Sequence, residues 1–119
     1  MEIEIEVVGK GKLKGVLDER NPNTANIIYN NLPLEGEANV WLDEVYFDVP
    51  VILDYENPSS KSEKGNLSYW PPSSALCIFY GNSQPASDVN HIGRMKGNLE
   101  IFLEVENDDK ILIRKLNGI

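Results

Sequence analysis

Ile3, Ile5 and Val7 alternate with Glu2, Glu4 and Glu6. Strand side chains point to opposite faces in turn, so this opening reads as a half-buried strand with an acidic outer face. Gly9-Lys-Gly11 makes a turn, and Leu13, Gly15 and Leu17 form a second strand with Lys12 and Lys14 outward, opposite the glutamates. The next pattern is helical. Asn21 suits an N-cap, Pro22 suits the first helical position, and Ala25, Ile28 and Leu32 share one stripe before Pro33 stops the helix. A helix over about 22–32 is too short to stand alone, so it packs on a sheet as a plug over an open barrel end.

Glu37 to Trp41 and Glu44 to Leu53 read as strands, the second interrupted by Pro50. Asp54 to Asn66 is polar and reads as a mobile surface loop. Gly65 to Gly81 holds Tyr69-Trp70, the double proline Pro71-Pro72, and the most apolar run of the chain, Ala75 to Tyr80. That run has no polar alternation, so both its faces are covered and it lies at the centre of the fold. Gly81 to Asp88 is a turn-rich loop, and Val89 to Met95 a strand bent at Gly93. A last hairpin is expected with Leu99, Ile101, Leu103 and Val105 inward, Asn107-Asp-Asp109 at the turn, and Ile111 to Leu116 returning. Phe102 interrupts its polar face, which implies a covered outer surface. About eight to ten short strands and one helix make a β-rich domain spanning 1–119, and closure into a barrel of about eight strands removes exposed edges and leaves a filled interior.

Composition narrows the partners. A net charge of −8 and a pI near 4.6 disfavour a nucleic-acid surface, which needs cations to meet phosphates. No apolar stretch approaches the roughly 20 residues of a membrane span, and the N-terminus lacks the basic and apolar regions of a signal peptide. One cysteine, Cys77, permits no intramolecular disulfide; a cytoplasmic setting is expected. There is no Cys/His cluster for zinc and no phosphate-cradling glycine loop, so neither a metal nor a cofactor is expected. Asp43 and Glu44 are neighbours on a strand edge and point apart, a poor acid–base pair that reads as a solvated turn. Cys77 with His91, and Ser87 and Asp88 with His91, contain nucleophile-type residues, but proximity in sequence is not triad geometry.

Three segments, Trp41-Leu-Asp-Glu-Val-Tyr-Phe47, Gly65-Asn-Leu-Ser-Tyr-Trp-Pro-Pro72 and Ala75-Leu-Cys-Ile-Phe-Tyr-Gly81, resemble the small prokaryotic cyclophilin-like proteins, also described as atypical cyclophilins. Gln84-Pro-Ala-Ser87, Val89-Asn-His-Ile-Gly-Arg94 and the helix exit Leu32-Pro-Leu34-Glu-Gly36 fit the same order, so the resemblance covers residues 7 to 97. It implies a closed cyclophilin-type β-barrel capped by short helices. Two positions depart from the group: Leu42 replaces a usual glycine, and Ser73-Ser74 replace a glycine-containing turn. The group's biochemical role is largely unassigned, and the arginine and glutamine that mark true prolyl isomerases are not evident here: Trp41 to Pro50 contains no basic residue.

Prolyl isomerisation needs an apolar slot and a donor for a twisted amide, whose planar form is held by a barrier of ~18–20 kcal/mol. Candidates for the slot are Trp41, Tyr46, Phe47, Trp70 and Phe79; Arg94 is the arginine nearest the motifs and the candidate donor. The competing reading makes the aromatics core and pairs Arg94 with a surface acid. Three functions follow: a binding module for a small molecule or a proline-containing peptide, a weak or atypical peptidyl-prolyl isomerase, and an interaction protein forming a homodimer through an exposed edge. Binding ranks first because fold alone does not give activity.

Overall fold

A computed structural model describes residues 1–116. The expected opening hairpin is present: β1 (Glu2–Val7) and β2 (Gly11–Leu17) pair antiparallel with Glu4 opposite Lys14 and Glu6 opposite Lys12. The ion pairs, however, come from the other side of β1. Arg114 reaches Glu4 at 2.9 Å and Glu6 at 2.6 Å from β9 (Lys110–Lys115). Helix α1 covers Pro22–Asn30, with Ala25 and Ile28 fully buried. Asn21 does not cap it. Its side chain bridges the His91 carbonyl (2.8 Å) and the Asn57 N–H (2.6 Å), and the Glu56 carboxylate accepts the helix's first N–H groups, from Asn23 and Thr24.

The remaining strands are β3 (Leu34–Glu37), β4 (Asn39–Trp41), β5 (Glu44–Asp48), β6 (Asn66–Trp70), β7 (Ala75–Phe79) and β8 (Asn90–Lys96). All nine form one antiparallel sheet in the order β3-β9-β1-β2-β8-β6-β7-β5-β4. The two ends of that order are joined by the chain itself. β3 pairs with β9 and β4 with β5, and Ala38 between them still exchanges hydrogen bonds with Asp108 and Asp109. One kinked run, Leu34–Trp41, therefore closes the sheet into a nearly complete barrel. Gly36 permits the seam, because a Cβ there would meet the Asp48 carbonyl at 2.9 Å and the Phe47 ring at 2.9 Å.

The interior is filled by Ile3, Ile5, Val7, Leu67, Tyr69, Leu76, Ile78, Val45, Phe47, Ile92, Ile111 and Ile113. Every residue of β7 is buried, as its unbroken apolar run requires. Leu76 and Ile78 join the interior cluster, while Cys77 and Phe79 face the other way. The prolines Pro71-Pro72 form a single 3-10 turn before β7. At Gly93 there is a close approach, where an added Cβ would lie 2.5 Å from the Val16 carbonyl. The expected irregularity of this strand is beside it: Leu67 pairs with Gly93 and Ser68 with His91, so Ile92 is an extra residue that bulges β8. The two positions that depart from a glycine pattern both take left-handed backbone, Leu42 at φ 54° and Ser74 at φ 50°.

Three expectations change. The strand from Glu44 ends at Asp48, and Val49 to Leu53 runs on irregularly. It is pinned by Tyr69, whose hydroxyl donates to the Val51 carbonyl (2.5 Å) and accepts from the Leu53 N–H (3.0 Å). Leu99–Glu104 is a 3-10 helix, not a strand, so no last hairpin forms there. Its repeat of about three residues per turn sends Phe102 into the core, stacked on Tyr80 at 6.0 Å, and leaves Leu103 exposed. The 54–65 loop is largely exposed but fastened: Ser59 bridges Val89, and Ser62 and Gln84 exchange hydrogen bonds. Among the described residues, no helix is long and apolar enough to cross a membrane.

Candidate functional site

The outward face of β5, β6 and β7 is not left to solvent. Period-two alternation puts Val45 and Phe47 inside, so Glu44 and Tyr46 face outward; on β6, Leu67 and Tyr69 are inside, so Ser68 and Trp70 face outward. The tight Leu42-Asp43 turn brings Trp41 opposite Glu44. The segment Pro85–Val89 closes over this surface from a distant part of the chain. The result is a cleft of about 250 Å³ walled by Trp41, Tyr46, Trp70, Pro85, Ala86 and Val89, with Glu44 and Ser87 as its polar groups. The Trp70 indole N–H donates to Ser87 Oγ at 2.7 Å, which fixes the ring against the covering segment.

Of the aromatic residues singled out from sequence, Trp41, Tyr46 and Trp70 thus share one cleft. Phe47 and Phe79 are fully buried and do not line it, Phe47 being in the barrel interior. Alternation along β5 makes this unavoidable, since Tyr46 and Phe47 cannot face the same side. Arg94 lies in a separate polar groove of about 700 Å³ with Arg20, Lys61, Asn66, Gln84 and His91, and it sits 3.6 Å from Glu63.

Glu44 was not expected here. Its side chain is not a solvated turn carboxylate: the residue is only 7% exposed, and no cation pairs with it among the described residues. Burial raises its pKa, and the neighbouring Cys77 thiol partly offsets that. Cys77 itself is buried, and burial together with the Glu44 charge pushes its thiol well above the usual range. A thiol held protonated and out of reach is not a nucleophile. Nor does it meet His91. The imidazole is clamped between Ser68 Oγ at Nδ1 (2.7 Å) and the Lys61 carbonyl at Nε2 (2.6 Å). A carbonyl only accepts, so Nε2 carries the proton and Nδ1 accepts from Ser68. Ser68 is fully buried, and Ser87 is engaged by Trp70, so no serine–histidine nucleophile is assembled. Among the described residues no cluster of three metal-binding side chains occurs.

Two solved structures share the architecture. The solution structure of the hypothetical protein AF2241 from Archaeoglobus fulgidus matches with a TM-score of 0.81 and 29% identity, over 98% of this chain and 95% of that one. A structure of McbB in complex with tryptophan matches with a TM-score of 0.82 and 18% identity, over 98% of this chain and 45% of that one. None of the curated proteins matches by sequence. The family described as Cyclophilin-like matches residues 1–114, all but the last residue of β9, and the chain belongs to that family.

Proposed function

We propose that the protein is a small-molecule binding module whose ligand sits between Trp41, Tyr46 and Trp70. The observation that carries this reading is the cleft itself. Large aromatic side chains that alternation turns away from the core are gathered under one covering segment, with few polar groups, an arrangement that suits an apolar or aromatic ligand. McbB, similar in fold over 45% of its chain, has been solved in complex with tryptophan, an aromatic ligand of the kind this cleft would suit. Binding is favoured over prolyl isomerisation because, among the described residues, no cationic donor lines the cleft, and Arg94 faces a different groove.

Both tryptophans of the chain line the cleft, so intrinsic fluorescence reports directly on occupancy. A panel of small aromatic compounds is expected to change that emission and to raise the melting temperature, a ligand at a hundred times its Kd stabilising by about 2.7 kcal/mol. Trp70→Ala abolishes both effects. A panel without one responding compound, or a response unchanged in Trp70→Ala, refutes the reading. A proline-peptide exchange assay is expected to run at the uncatalysed rate.

A further inference from the structure

We infer that the cleft selects ligands carrying an organic ammonium group, with Glu44 as the counter-ion and the aromatic walls as the surface on which the cation rests. This rests on the reading of the cleft as a ligand site and specifies its chemistry. A buried carboxylate is normally matched by a cation or by several donors, because removing an ionised group from water is costly. Four partly buried acids obey that rule. Glu4 and Glu6 are held by Arg114, Asp18 by Arg20 and Asp109 by Lys10. Glu44 is more deeply buried than any of these, yet among the described residues it has no cationic partner.

The only space it borders is the cleft, among the cavities described. Trp41 lies directly across the strand pair from it, and Tyr46, two residues on, presents its ring to the same side. The π faces of Trp and Tyr attract cations, and they do so more strongly where water is excluded. A cation entering here therefore meets a complementary charge and complementary rings. A carboxylate ligand would meet an uncompensated like charge, and a neutral one would leave Glu44 without a cationic partner.

Three probes of one shape test this: 2-phenylethylamine, 2-phenylethanol and 3-phenylpropionate, titrated at neutral pH and low salt by tryptophan fluorescence and calorimetry. The amine is expected to bind about tenfold tighter than the alcohol, with the carboxylate weakest. Glu44→Gln brings the amine down to the level of the alcohol, so that the preference for the amine is lost. An alcohol that equals or exceeds the amine in the unmodified protein overturns the inference without any variant being needed. So does amine affinity that survives Glu44→Gln, or a response to other aromatic compounds but to none of these three; in each case the ligand cleft itself stands. Silence from every aromatic compound ends both readings.

Discussion

Replacing Tyr69 by phenylalanine removes one oxygen from the largest fully buried side chain among the described residues, and the structure dictates what that does. The hydroxyl serves two backbone groups at once, the Val51 carbonyl and the Leu53 N–H. Neither belongs to a strand, so neither has a ladder partner to fall back on. The Val51 bond is buried, and the orphaned carbonyl carries the full desolvation penalty of about 1–3 kcal/mol. The Leu53 N–H is only partly buried and recovers some hydration, so its loss adds less, on the order of 0.5–1 kcal/mol. The ring keeps its apolar contacts, so no cavity term enters. The sum is about 1.5–4 kcal/mol, a large fraction of the 5–15 kcal/mol typical of a domain. Urea unfolding followed by fluorescence should show the midpoint falling by about 1–2 M with the slope unchanged. Tyr46→Phe, whose hydroxyl makes no such bond, is the control. A midpoint within 0.2 M of the parent would refute the account, since it would mean that Val49 to Leu53 is held by something other than Tyr69.

Ser74→Gly and Leu42→Gly should each stabilise the protein by about 0.5–1 kcal/mol, the left-handed strain of an L-residue less the added freedom of glycine in the unfolded chain; thermal melts showing a lower melting temperature would contradict this. His91 should titrate below the ordinary imidazole value of about 6.5, because burial disfavours its charged form. As pH falls through 6.5 the unfolded chain takes up a proton that the folded chain refuses, so stability drops from there down to the depressed native value. His91 is the sole histidine, so its NMR titration is unambiguous, and a midpoint at or above 6.5 would count against the burial of its ring.

Much of the barrel is legible in the sequence because its signals are local. Ile3, Ile5 and Val7 state their face by parity alone, and Ala75 to Tyr80 states its double burial by lacking any parity. Leu99 to Val105 misleads for a physical reason: leucines and isoleucines at alternate positions fit a strand, but Phe102 at the odd position is the residue that buries, and a three-residue repeat satisfies it. The Asn98 side chain, which accepts from the Glu100 N–H, is a turn-initiating signal within that stretch. The aromatic part of the cleft is legible because Trp41, Tyr46 and Trp70 sit in the motif segments, and the exclusion of Phe47 follows from the same alternation. The burial of Glu44 is not legible. It shares its cleft with Pro85 to Val89, about forty residues distant, a juxtaposition that no local pattern encodes.

The position of β9 has a consequence for the order in which the protein assembles. β9 lies between β1 and β3, the former near one end of the chain and the latter part of the kinked seam. Until residues 110–115 arrive, both neighbours present unpaired edges, and Leu34–Glu37 has no ladder to join. Loop-closure entropy over about a hundred residues must be met before that insertion is rewarded, so ring completion is a late and slow event. A chain cut short ahead of Lys110 would be left with two sticky edges, the state most inclined to self-associate.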